Sequence, residues 1–225
     1  MNNSLAKTIH DQDEDSCDCH SFYNINTPLR EDAFDMTNNE KIDKITEHFH
    51  EIMHTLGLDL TDLSLKDTPK RVAKMYVNEI FKGLDQRNKP SISLFENNYN
   101  YEQILLERNI TIYSYCEHHF VPIIGKAHIA YIPSKHVIGL SKLNRIAQYF
   151  AKRPQVQERL TEQIAHELKK ILHTQDVAVV IEADHLCVSS RGIGDTSSDT
   201  ITYHLGGKFK NESKKSELFN LINKK

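Results

Sequence analysis

The stretch NITIYSYCEHHFVPIIGKAHIAYIP, residues 109–133, decides the fold. Its first half alternates: Ile110, Ile112 and Ser114 interleave with Asn109, Thr111 and Tyr113, and β-branched residues are frequent. A period of two with that composition marks a strand with one buried face, running here into Cys116. Residues 121–132 read as a second strand, interrupted near Gly125 and closed by Pro133. The pair is expected to be antiparallel, with CEHH at the turn.

Downstream, Ser141 reads as the cap of a helix carrying Leu143, Ile146, Ala147 and Phe150. Pro154 reads as the opening of a second helix, with Val156, Leu160, Ile164, Leu168, Ile171 and Leu172 on its inner face. Residues 177–187 return to strand. A last strand near 200–205 ends at Gly206-Gly207, followed by a lysine-rich tail with one apolar cluster at 218–222. Upstream, Ile42, Ile45, Phe49, Ile52, Met53 and Leu56 fall at helix-face spacing, with Gly57 as a C-terminal cap. Thr68-Pro69 start another helix whose stripe is Val72, Met75, Tyr76 and Ile80, closed by Gly83, with Arg71, Lys74 and Asn78 opposite. The order α, α, β, β, α, α, β, β predicts an α+β domain: an antiparallel four-stranded sheet with two helices packed on it, preceded by N-terminal helices. Such a sheet has open edges, and we expect them to continue into a neighbouring subunit. Three regions are expected: an acidic tail over 1–26, a helical region over 27–100 and a catalytic domain over 101–225.

The chain has 225 residues, 39% hydrophobic and 26% charged, enough for one core with an appended helical segment. No apolar run approaches the roughly 20 residues of a membrane-spanning helix, and the N-terminus carries no charged-then-apolar leader. A cytoplasmic protein without a membrane partner is expected. With 28 basic and 31 acidic residues the net charge is −3, which gives no pull towards nucleic acid, so an anionic ligand must meet a local cluster of cations. In a reducing compartment the four cysteines read as thiols or metal ligands. Cys17 and Cys19, beside His20 in the acidic tail, lack a partner pair and read as incidental.

Cys116 and His119 form C-x-x-H at a strand end, a spacing that lets both side chains converge on one ion. Cys187 can supply a third ligand from a neighbouring strand, and Cys2His is a set that leaves a catalytic zinc an open position for water. The alternatives are a closed Cys2His2 site using His118 or His185, or two unrelated buried thiols. His185, two residues from Cys187 on the expected strand, shares its face and is placed to carry protons, and His118 has a similar claim. Ser141, Lys142 and Arg145 lie at a helix N-terminus, where N–H groups attract anions. With Arg191 and the Arg71/Lys74 face, these cations suffice for a polyphosphate, although each alone reads as a solvated charge. Gln157 and Glu158 lie in the first turn of the helix that Pro154 opens. Glu158 either complements the helix dipole or accepts two hydrogen bonds from adjacent N–H donors such as those of guanine.

Taken together, CEHHFVP (116–122), AYIPSKHVIGLSKLNRIAQYFAKRPQVQERLT (130–161) and HLCVSSRGIGD (185–195), with DTPKRVAKMYVNEIFKGLD (67–85), resemble GTP cyclohydrolase I from about Thr27 to the C-terminus. The resemblance implies the tunnelling fold, with subunit sheets joined into a barrel and two rings stacked into a homodecamer with active sites at the interfaces. It implies a Zn2+ enzyme that converts GTP to formate and 7,8-dihydroneopterin triphosphate. Cys116, His119 and Cys187 match the metal ligands, and His118, His185 and Ser141 match catalytic positions. Gln157 and Glu158 match the guanine-recognising pair, and Ser141, Lys142, Arg145 and Arg191 match positions around the ribose and triphosphate. Arg71 and Lys74 match basic residues supplied by a neighbouring subunit. The departures are mild: Asp184 before His185, Ser189-Ser190 before Arg191, and Gly194 where relatives often carry a larger or charged residue.

Overall fold

The computed structural model describes residues 25–224, so Cys17, Cys19 and nearly all of the expected acidic tail lie outside the described residues. Five strands form the main sheet, in spatial order β5 (Pro154–Gln155), β2 (Leu105–Cys116), β3 (Pro122–Tyr131), β6 (Val177–His185) and β7 (Thr200–Leu205). All pairs are antiparallel except β5 with β2. A separate ribbon pairs β1 (Leu94–Glu96) with β4 (His136–Ile138).

One face of the sheet is covered by α3 (Leu140–Ala151) and α4 (Gln157–Leu172). Leu143, Ile146, Leu160, Ile164 and Leu168 pack there against Ile112, Ile123, Ile129, Val179 and Ile181, all at most 1% exposed. Each such side chain removed from water contributes roughly 1.5–3 kcal/mol, so this layer is the main source of stability. The opposite face is covered at one end by α6 (Glu212–Asn223), whose Leu218 joins Phe209, Ala130, Ile132 and Ala178. Arg108 holds that helix by donating to the carbonyls of Leu221, Ile222 and Lys224 at its C-terminal end.

The register of β2 fixes which residues face α3 and α4. Leu105, Leu106 and Glu107 pair with Tyr131, Ala130 and Ile129, but Ile110 pairs with Ala127, so β2 holds one extra residue. Asn109 takes a left-handed backbone conformation, φ 61°, at this bulge. Beyond it Ile110, Ile112, Ser114 and Cys116 all point into the core.

Several expectations are corrected. The sheet has five strands, because Pro154 does not open a helix. With Gln155 it forms the edge strand beside Tyr115 and Cys116, and α4 starts at Gln157. β3 runs unbroken through Gly125, which pairs with both Ile112 and Ala183; the irregularity lies in β2 instead. Ser141 does not cap α3: Gly139 holds the cap position and makes no side-chain bond, while Ser141 lies inside the first turn. Asp67 rather than Thr68 takes the cap position of α2 (Thr68–Met75), which continues as a π-helical turn over Tyr76–Ile80. β6 stops at His185, and Cys187 sits on the short helix α5 (Leu186–Ser189). The C-terminal tail is helical. α1 (Asn38–Thr55) ends as expected, with Gly57 at φ 81° and its N–H bonded to the carbonyl of His54. Yet Ile52 and Leu56, expected on its inner stripe, are 51% and 72% exposed.

At Gly125 there is no room for a side chain between β3 and β6: a Cβ built there meets the Glu182 carbonyl oxygen and the Ala183 side chain. Gly125→Ala is therefore expected to destabilise the chain by about 3 kcal/mol. Denaturant unfolding checks this, and an unchanged midpoint contradicts the close packing.

Candidate metal centre and active site

The hairpin turn between β2 and β3 carries two of the three expected ligands. The Cys116 N–H donates to the Val121 carbonyl at 2.9 Å, and the Phe120 N–H donates to the Cys116 carbonyl at 2.9 Å, with Phe120 at φ 56°. This tight loop leaves Cys116 buried, 4% exposed, and His118 and His119 exposed. β6 brings the third ligand. Its last residue, His185, pairs with Ile123 just past the turn, and α5 then swings Cys187 towards Cys116.

Ligand atoms of Cys116, His119 and Cys187 all lie within 4.8 Å of one another. An ion at roughly 2.3 Å from sulfur and 2.1 Å from nitrogen holds tetrahedral donors about 3.5 Å apart, so small side-chain adjustments close this set around one ion. Two soft thiols and one imidazole suit zinc chemistry, and both cysteines are free thiols. Burial pushes the Cys187 thiol up to about 11, with the neighbouring Cys116 adding to the effect. Without a cation Cys187 is therefore a neutral thiol at physiological pH. The Arg191 guanidinium lies 2.8 Å from His119 Nε2. Arginine can only donate, so the Nε2 lone pair accepts from Arg191, and the guanidinium must swing aside for Nε2 to ligate a metal.

The two further histidines flank this cluster. His118 Nδ1 lies 3.6 Å from Cys116 Sγ. His185 Nε2 lies 2.7 Å from Gln157 Oε1. Gln157 Nε2 donates to the carbonyls of Ile181 and Thr200 at 3.1 and 2.9 Å, which fixes the amide with its oxygen towards His185. His185 must then carry a proton on Nε2, leaving the lone pair of the neutral ring on Nδ1. Burial holds the His185 pKa below the ordinary histidine value, opposed by the carboxylates of Glu158 and Asp184.

Gln157 and Glu158 do not present themselves alike. Gln157 is 1% exposed with its amide committed as described, whereas Glu158 is exposed in the first turn of α4. Ser141 and Arg145 are exposed on α3, and Lys142 Nζ donates to the Ser91 carbonyl at 2.8 Å. Arg145 lines a cavity of about 300 Å³ with Lys82, Gln148, Tyr149 and Lys152. Arg71 and Lys74 are exposed on α2, Arg71 at 3.8 Å from Asp67.

Sequence reasoning gave no role to Glu117 and Arg159. Their side chains form a two-pronged, largely buried ion pair that ties the ligand turn to α4. A carboxylate inside the CEHH turn and a cation in the first turn of the next helix were visible in the sequence; what was not visible was that β5 brings them together.

The sequence profile of the GTP cyclohydrolase I family matches residues 45–223. A protein of Flavobacterium johnsoniae named GTP cyclohydrolase 1 is 60% identical over 205 residues, covering 91% of this chain and 92% of its own. Proteins of the same name from Aeromonas salmonicida and Yersinia pestis are each 53% identical, covering 84% and 87% of this chain and 85% and 88% of theirs.

Because Cys187 is protonated when no ion is bound, binding expels that proton, and affinity rises with pH. Binding of a thiophilic divalent ion near neutral pH is expected to release about one proton more from the native chain than from Cys187→Ser. Titration in a weak buffer with a pH indicator measures the difference. Equal release by both proteins excludes Cys187 as a ligand.

Proposed function

The chain belongs to the GTP cyclohydrolase I family, and we propose that it converts GTP and water to formate and 7,8-dihydroneopterin triphosphate at a Zn2+ site formed by Cys116, His119 and Cys187. The convergence of these three donors beside His185 carries the reading. When bound, zinc supplies an electrophile that lowers the pKa of a water molecule towards neutrality.

The chain's own residues supply the remainder. His185, steadied on Nε2 by Gln157, takes a proton from the attacking water on the Nδ1 lone pair and passes it to N7 of guanine as that water adds at C8. A second water releases formate. His118 and Ser141 act on the ribose as it opens and rearranges, and ring closure expels one water, so the net reaction consumes one. Glu158, exposed at the start of α4, accepts from the guanine edge. Lys142, Arg145 and Arg191, with Arg71 and Lys74 of a neighbouring subunit, meet the triphosphate; the exposure of Arg71, Lys74 and Arg145 supports that assignment.

We further assign the tunnelling fold and a decamer of two stacked pentamers, with 27–100 as the N-terminal helical region and 101–225 as the catalytic domain. The open β7 edge, with Ile201 and Tyr203 more than half exposed, supports a sheet continued between subunits. No helix among the described residues is long and apolar enough to cross a membrane. The need for Cys116 and Cys187 as thiols supports a reducing, cytoplasmic setting.

Purified protein supplied with GTP is expected to release formate and to yield neopterin fluorescence after oxidation and dephosphorylation. His185→Asn is expected to lower kcat by about 10²- to 10⁴-fold. Full turnover by that variant removes His185 from the mechanism, and full turnover by zinc-free protein removes the metal. Sedimentation should report ten 26.0 kDa chains. Ile201→Lys on β7 should shift the population to smaller species, and a native chain that sediments as a monomer contradicts the assembly.

A further inference from the structure

A line of buried hydrogen bonds runs from the start of the described chain to the backbone of the metal-ligand turn. The Glu117 N–H donates to the Gln155 carbonyl at 3.0 Å, where β5 lies in register with Tyr115 and Cys116. The Gln155 side chain is fully buried, and its Nε2 donates to the Phe150 carbonyl at 2.9 Å and to Gln163 Oε1 at 2.8 Å. Gln163 is 5% exposed, and its own Nε2 donates to the Ile25 carbonyl at 2.7 Å and to Thr27 Oγ1 at 3.3 Å. Arg153 completes the tie: it donates to Thr27 Oγ1 at 3.3 Å and to the Gly83 carbonyl at 2.8 Å, and stacks on Tyr149 and Phe150.

The donors fix the sense of this line. Gln163 uses its oxygen towards Gln155 and its nitrogen towards Ile25 and Thr27, so it reads both sides at once. Gln155 Oε1 is buried without a partner, so that side chain is restrained through Nε2 alone. If the Gln163 acceptor is removed, only Phe150 still holds it. A two-residue strand has few ladder bonds of its own, so the position of β5 depends on these side chains, and β5 in turn sets the plane of the Cys116–Glu117 backbone.

We propose that Gln163 is a positioning residue for the metal site, transmitting the docking of the Ile25–Thr27 segment through Gln155 to the turn that holds Cys116 and His119. This rests on the reading of Cys116, His119 and Cys187 as the metal ligands. Gln163 touches neither ligand nor substrate; it acts by holding the backbone from which two ligands project. Groups that orient metal ligands from outside typically alter affinity by roughly 10- to 100-fold.

The test measures zinc affinity of the full chain by chelator competition, together with hydrogen exchange at the Glu117 amide. Gln163→Met keeps the volume and removes all three side-chain bonds. It is expected to weaken zinc binding about tenfold and to speed exchange at Glu117. Thr27→Val, which leaves Gln163 in place and spares the core, should act in the same direction by less. The double variant should bind no more weakly than Gln163→Met alone, because the two lie on one line. A purely structural Gln163 lowers the melting temperature but leaves zinc affinity within about twofold of the native chain and Glu117 exchange unchanged; that result overturns the proposal. If Gln163→Met fails to fold, Thr27→Val decides by the same two measurements. A native chain that takes up no zinc overturns the metal reading and this inference together, whereas native uptake with unaltered variants overturns this inference alone.

Discussion

The site depends on one extra residue in β2. Before the bulge the odd-numbered residues of that strand lie on the side of α3 and α4; after it the even-numbered ones do. A one-residue change of register moves every later side chain to the other face. With Asn109 absorbing the shift, Cys116 ends the strand pointing into the core rather than outward beside Tyr113, which is 54% exposed. Everything later in the site inherits that choice. The turn hangs His118 and His119 from the same end, and β6, paired with β3, delivers His185 and Cys187 to it.

The electrostatic design follows from burial on one side and solvent on the other. Cys187 and His185 both sit where burial favours the uncharged form. The charges near it are held by partners: Glu117 by Arg159, and Arg191 against His119. Gln157 contributes no charge, only an orientation. Its two bonds to backbone carbonyls of β6 and β7 make the His185 tautomer a property of the sheet rather than of the loop.

What the sequence disclosed followed periodicity. The alternation through Ile110 and Ile112, and the helical spacing of Leu160, Ile164 and Leu168, located the layer that carries the site. The C-x-x-H at Cys116 was legible because two ligands share one turn. Less legible were features set by partners distant along the chain. Pro154-Gln155 looks like a helix opening because proline is common there, and only the neighbouring Tyr115–Cys116 backbone turns it into a strand. Cys187 reads as strand because the apolar run continues past the end of β6. Gly125 resembled an interruption, whereas the residue that breaks the ladder is Asn109, whose tolerance of a left-handed conformation carries no periodic signal. No periodic signal singles out Gln155 or Gln163; Gln155 is buried beside Phe150 and Gln163, and Gln163 meets a segment more than a hundred residues away.

The exposed apolar groups bear on how the proposed site is completed. Ile52 and Leu56 on α1, and Ile201 and Tyr203 on β7, lie more than half open in the single chain. They belong to two separate surfaces, one helical and one at a sheet edge. Both surfaces are open to a neighbouring subunit in the proposed decamer. Arg71 and Lys74 sit on α2, which packs against α1. In the proposed assembly, the surface that receives α1 therefore also decides whose triphosphate these two cations reach. Substrate binding and assembly then share one set of contacts, and a change that loosens the α1 face weakens GTP binding without touching a metal ligand.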